Sequence, residues 1–440
     1  MSSLEQLGAF VAAYRPDEAA AAAVRLHAAD TVGAWIAATR TPEGRALLAF
    51  RQDGATLTEH VAIHCALTRL SEVDDIHLGA MITPGSIVVP AVLTMAARLP
   101  DIDAEDVTAA IVAGYEAMVR LGAAIDGPSV LYRGIWPTYF AAPFGVAAAA
   151  ARLMRFEAAR TANALSAALI MASPGTGHHA APTTVRWLAV GQAAARGFQA
   201  ALAAGAGFTS DMGIADGELL KNIYGLAPAL DVLGHGLGEL ALHQVSFKPW
   251  CAARQTMAAT QALKEIVDEG IAPESIARVG VAVLPQHLRM IDHGVTPGDR
   301  FSHLTSVQYQ MAVAALSPDL AFELSGPSGA TPPALSNFMA RIKVRAEESL
   351  AASGYPRSWA AHVTVTTANR RHEKTVTQVP GDPGLSFGED DLRRKFARVT
   401  GLGAEAADAV FAFALDAAEK PAAALDEIER HAAREPDQSP

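Results

Sequence analysis

Apolar positions recur every three or four residues through most of the first half of the chain, the spacing of one helix face after another. The clearest run is Val107, Ile111, Tyr115, Met118, Leu121 and Ile125. It follows the acidic start Asp103-Ala104-Glu105-Asp106 and precedes the stop Gly127-Pro128. Similar helices are expected at about 17–38, 59–70, 87–98, 142–154, 156–172 and 187–204. Three breaks separate them: Thr83-Pro84-Gly85-Ser86, Gly134-Ile135-Trp136-Pro137 and Ser173-Pro174-Gly175-Thr176-Gly177. Each carries polar or aromatic residues, and sites often sit on loops held by a rigid scaffold, so these are candidate pocket loops.

After about Ser246 the period shortens to two. Strands are expected at 279–283, 342–344 and 362–367, with 374–377 pairing with the last as a hairpin across Asn369 to His372. Helices near 252–269, 303–316 and 332–340 lie between them. From about Asp390 the pattern is helical again, at roughly 390–398, 404–417 and 420–432. The expected fold class is mainly α: a large all-helical domain (1–246), a smaller α+β domain (247–389), and C-terminal helices (390–434) returning to the first domain. The tail 435–440 is expected to be disordered.

Composition narrows the function classes. Half of the 440 residues are hydrophobic, so a large core is possible. Lys and Arg number 35 against 46 Asp and Glu, a net charge of −11 with no basic run, which argues against a nucleic-acid surface. Cys65 and Cys251 offer no disulfide framework or metal cluster, and reduced thiols point to the cytoplasm. The N-terminus lacks a secretory pattern. The longest apolar stretches, near 141–151 and 164–172, fall short of the about 20 residues that span a bilayer, so no membrane partner is expected.

Five segments carry candidate chemistry. Glu72-Val73-Asp74-Asp75-Ile76-His77 places three acids beside a histidine, so Asp74 or Asp75 can orient His77 as a base; the alternative is that the acids cap helices and His77 is a solvated loop residue. Ser86 can cap the next helix and leave its N–H groups for a carboxylate. In Tyr132-Arg133-Gly134-Ile135-Trp136-Pro137-Thr138-Tyr139, Trp136 and Tyr139 can wall a pocket and Arg133 can hold an anion, or the segment is an aromatic turn. His178-His179 suggests a metal, but neighbouring residues point apart and no ligand lies at the right spacing, so no metal is assigned. Arg186, at a helix start, suits a carboxylate. Lys248 and Arg254 bring two cations to the domain junction. Cys251 beside them is a buried bystander or, as an alternative, a nucleophile. Tyr309 is core or a pocket hydroxyl.

The order of these segments resembles the MmgE/PrpD family over nearly the whole chain. The features are the Val-Asp-Asp loop before Pro-Gly-Ser-Ile-Val-Val-Pro-Ala, the Pro-Thr turn, a Pro-Phe-Gly helix start, Gly207-Phe208-Thr209, Lys248-Pro249-Trp250, Gln308-Tyr309 and Asp391-Leu-x-x-Lys395-Phe396. Members include 2-methylcitrate dehydratase, cis-aconitate decarboxylase and iminodisuccinate epimerase. The resemblance implies a helical domain built from both chain ends, a smaller α+β domain, a cleft between them, a homodimer, and chemistry on di- or tricarboxylates without metal or organic cofactor. Position by position, Thr83, Trp136 and Met257 stand where the family has histidines, Arg186 where it has a lysine, and Glu72 where it has an aspartate. Asp74, Asp75, Lys248, Arg254 and Tyr309 are retained. Thr, Trp and Met cannot shuttle a proton near neutral pH, and arginine binds anions but hardly acts as a base.

These residues suggest an altered lyase or isomerase that labilises a proton next to a carboxylate. His77 is then the base, Tyr139 and Tyr309 the candidate acids, and Arg186, Arg254 and Lys248 the anion holders. A catalytically silent carboxylate-binding or assembly protein is the alternative.

Overall fold

The computed structural model describes residues 1–173, 183–326 and 329–432. The break at 174–177, the pair His178-His179 and the tail 435–440 lie outside the described residues. The chain divides into two compact units, Met1–Ser246 with Gly388–Pro440, and Phe247–Phe387. It is mainly α, with a small mixed sheet in the second unit.

The first unit is built from helices whose starts are written in the sequence. Asp17 accepts the N–H of Ala20, Asp103 that of Asp106, and Thr56 forms a reciprocal capping box with Glu59. The helices Glu18–Thr39, Leu57–Leu70, Gly85–Ala96, Ala104–Ala124, Pro137–Leu153 and Val185–Gly205 form its centre. The helix expected from 142 begins at Pro137 and runs through Pro143. One lost backbone bond at Pro143 is outweighed by burial of the whole helix. Ala104–Ala124 corrects the reading of apolar lengths: it is long and apolar enough to cross a membrane, yet 94% of its apolar window is buried inside the protein. The C-terminal helices Glu389–Thr400, Ala404–Leu415 and Pro421–Ala432 pack on the helix Glu18–Thr39. Lys395 anchors them through a buried ion pair with Asp30 at 2.6 Å.

The second unit holds four strands, β1 (Ile276–Val283), β2 (Ile342–Ala346), β3 (Ala361–Thr367) and β4 (Arg371–Val376), in the order β2-β1-β3-β4. β1 and β2 are parallel, whereas β1–β3 and β3–β4 are antiparallel, the last being the expected hairpin. Alternation puts Val279, Val281, Val283, Val363 and Val365 on the covered face. There they meet Leu263 and Ile266 of the helix Arg254–Asp268. The helix expected over 303–316 is two, Arg300–Thr305 and Val307–Leu316. They divide at Ser306, whose hydroxyl accepts the Tyr309 N–H at 3.2 Å.

Candidate active site

The Val73-Asp74-Asp75 loop is pinned from three sides within the helical unit. Lys395 Nζ donates to Val73 O at 2.9 Å. Asp74 accepts from Ser86 Oγ at 2.7 Å and faces Arg69 at 3.5 Å. Asp75 accepts from Tyr115 (2.7 Å) and the Gly85 N–H (2.8 Å), and pairs with His27 Nδ1 at 2.7 Å. A Cβ at Gly85 would lie 2.6 Å from Asp75 Oδ1, so only glycine lets the helix start reach this carboxylate. Burial, then the charge of Asp75, pushes the Tyr115 hydroxyl well above its ordinary pKa, so it stays a hydrogen-bond donor.

These contacts revise several expectations. Asp75 orients His27, not His77. Asp75 is thus a loop anchor, and Asp74 is engaged by Ser86 and Arg69. Ser86 lies inside its helix rather than at the cap, and the Gly85 N–H is taken by Asp75 rather than left for a ligand. His77 accepts the Ala80 N–H on Nδ1 at 3.0 Å, with Nε2 3.4 Å from Gln244 Oε1. That ties up the lone pair a base would need. Arg133 is exposed and donates to the carbonyls of Tyr224 and Gly225, latching a turn rather than holding an anion. Thr83 is closed onto Thr138, its N–H at 3.0 Å and its hydroxyl at 3.2 Å from Thr138 Oγ1.

A second cluster forms beside this loop. Glu72 has φ +57°, a strained conformation for a residue with a side chain, imposed next to the pinned loop. It is buried and pairs with Arg69 at 3.0 Å. Burial opposes the charge on Arg69, but Asp74 and Glu72 outweigh it and hold the guanidinium above its usual range. Among the described residues, Arg69 Nε is buried and has no hydrogen-bond acceptor. Arg186 stacks over Trp136 with its guanidinium carbon 4.5 Å from the ring centroid. Trp187 takes Arg186 at 5.6 Å and Arg69 at 5.9 Å. Burial pushes the Tyr139 hydroxyl up while the charges of Arg186 and Arg69 pull it back, and burial lowers Arg186. Two cations, a phenol, a carboxylate and two indoles thus share one desolvated place, where each charge acts more strongly than in water.

In the second unit, Arg254 is buried and pairs with Asp382 through Nη2, at 2.9 and 2.7 Å. Its charge is therefore neutralised by the protein. Its Nε and Nη1 have no acceptor among the described residues. Met257 is fully buried in the apolar core of this unit. Tyr309 also belongs to that core, its hydroxyl pushed up to about 12 by burial. Lys248 and Cys251 are buried. No disulfide joins Cys65 and Cys251, and burial raises the Cys65 thiol.

Sequence reasoning missed His27 and Arg69. Arg69, in the last turn of the helix Leu57–Leu70, had a local signal in Glu72 three residues on. His27 had none, being 48 positions from its partner.

Comparison with known proteins adds one finding. Residues 5–221 match the MmgE/PrpD N-terminal domain and residues 250–417 the MmgE/PrpD C-terminal domain. No curated protein matches the chain.

Proposed function

Since the chain belongs to the MmgE/PrpD family, whose members are generally lyases or isomerases, with dehydratase-type action on small carboxylic acids, we propose that it moves a proton on the carbon next to a substrate carboxylate. Arg186 binds that carboxylate against Trp136. Glu72 accepts the proton as the C–H bond breaks, and the electron pair passes into the enolate that Arg186 and Arg69 stabilise. Tyr139 returns a proton to the developing charge or to the leaving group. The observation that carries this reading is the buried Glu72–Arg69–Arg186–Tyr139 group. It supplies charge stabilisation and proton transfer from side chains alone.

The test is hydrogen exchange. Small mono- and dicarboxylic acids are incubated with the protein in D2O and the α-proton is followed by NMR. Arg186→Met should slow exchange about 10²–10³-fold, and Glu72→Gln and Tyr139→Phe about 10²–10⁴-fold. Full exchange in Glu72→Gln sinks the assignment of the base.

The second reading, a silent carboxylate-binding protein, is favoured by Thr83, whose hydroxyl faces Thr138 and cannot take the place of an imidazole. Saturable binding with no exchange in the wild-type protein supports that reading over catalysis.

A further inference from the structure

The helix Leu57–Leu70 and the C-terminal helix Pro421–Ala432 belong to the same unit, and they bring three metal-ligating side chains together. His60 and His64 are one turn apart on one helix face. Glu429 comes from the other helix. The ligating atoms of all three lie within 4.8 Å of one another, and His64 Nε2 is 3.8 Å from Glu429 Oε1.

Hydrogen bonding fixes the tautomer of His64. Thr94 Oγ1 donates its proton to Pro90 O at 2.5 Å, so its lone pair accepts from His64 Nδ1–H at 2.8 Å. The Nε2 lone pair is then the one turned toward the Glu429 carboxylate. Two acceptors face each other with no proton between them, an arrangement that a cation between them satisfies. Trp35, 4.7 Å from the imidazole, holds the ring in place, and Thr94 is the outer partner that metal-bound histidines usually have. Burial lowers His64 to about 3, which keeps the ring neutral, the form that ligates.

A cavity of about 190 Å³ opens at the same point, lined by Trp35, Leu48, Arg51, His64 and Glu429 among others. It has room for water as a further ligand. Arg51 approaches Glu429 at 3.4 Å, but both side chains are partly exposed (31% and 43%) and such a pair is weak and screened. An incoming divalent ion displaces it.

From this geometry we infer that His60, His64 and Glu429 bind a divalent transition-metal ion of the zinc type, which fastens the C-terminal helix to the helix Leu57–Leu70. Two imidazoles and one carboxylate suit Zn²⁺, Co²⁺ or Ni²⁺ rather than Ca²⁺ or Mg²⁺. Bonds of about 2.0–2.1 Å around a tetrahedral ion set ligand atoms about 3.4 Å apart. The spacings therefore need to close by about 0.4 Å for His64 and Glu429 (3.8 Å) and by at most about 1.4 Å elsewhere (4.8 Å), which the half-buried His60 and Glu429 can do by rotation. None of these residues belongs to the Glu72–Arg186 cluster, so the site lies outside the proposed reaction.

The experiment uses the full, untagged chain stripped with a chelator. Zn²⁺ binding is followed by calorimetry, Co²⁺ binding by its visible ligand-field absorption, and both by thermal melting. The expected result is one ion per chain and a raised Tm. His60→Gln and Glu429→Gln should each weaken binding by at least about 100-fold, since losing a ligand costs more than losing an outer-shell partner. Both positions are partly exposed, so these variants keep their fold, unlike a substitution at the buried His64, and their α-proton exchange should equal that of the wild type. Absence of saturable binding by the wild-type chain, or unchanged affinity in either variant, overturns the site.

Discussion

At the scale of single residues, Asp75 shows how a catalytic-looking acid is used as an anchor. It accepts from His27, Tyr115 and the Gly85 N–H, all buried. An asparagine in its place has one acceptor oxygen, and its NH2 must face at least one of those donors. Asp75→Asn is therefore expected to cost about 1–3 kcal/mol, the range for leaving a buried hydrogen-bonding group without its partner. The denaturant midpoint should fall; an unchanged midpoint would show that the network contributes little. The sequence made Asp75 legible as important, but assigned it to the neighbouring His77. Local spacing names only local partners, and His27 reaches Asp75 by helix packing.

At the scale of elements, the helices approach each other through small residues. Gly197 sits against the helix Pro137–Leu153, and a Cβ there would lie 2.1 Å from Pro143 O. Two effects compete in Gly197→Ala. Helix propensity favours alanine by about 1 kcal/mol. The clash is with a backbone oxygen that cannot rotate away, and overpacking of this kind costs about 1–3 kcal/mol or more. The clash wins, so Tm should drop; a rise in Tm would mean that the two helices separate easily. Helix and strand types were readable from period alone, as the β3–β4 hairpin and the Asp103 cap illustrate. The start at Pro137 was not, because packing decided it.

At the scale of the whole molecule, each compact unit has its own apolar core, and the smaller one carries a pH signature. Burial, then the nearby charge of Arg254, lowers His287 to about 3. The unfolded chain binds a proton near 6.5 while the folded unit does not until about 3. The unfolded state thus holds more protons in that window, so stability rises with pH across it. The contribution is fully present above about 6.5 and is lost as pH falls toward 3, with a slope approaching about 1.4 kcal/mol per pH unit. Unfolding of the smaller unit followed from pH 7 to 4 should show this slope, and His287→Gln should flatten it. Identical slopes in both proteins would remove His287 as the cause.

The sequence by itself determined the element types, the change of period near residue 246 and the family, because these depend on residue order and on periodic burial. It also placed Arg186 among the candidates from its position at a helix start, and Trp136 and Tyr139 from the aromatic-rich turn they share. Only the tertiary structure decided that Arg254 spends its charge on Asp382, that Met257 is core, and that His27, Arg69 and the His60–His64–Glu429 group exist as partners. The physical reason is clearest for Arg254 with Asp382, His27 with Asp75 and Glu429 with His64: ion pairing and ligation act over a few ångströms through space, between side chains far apart along the chain.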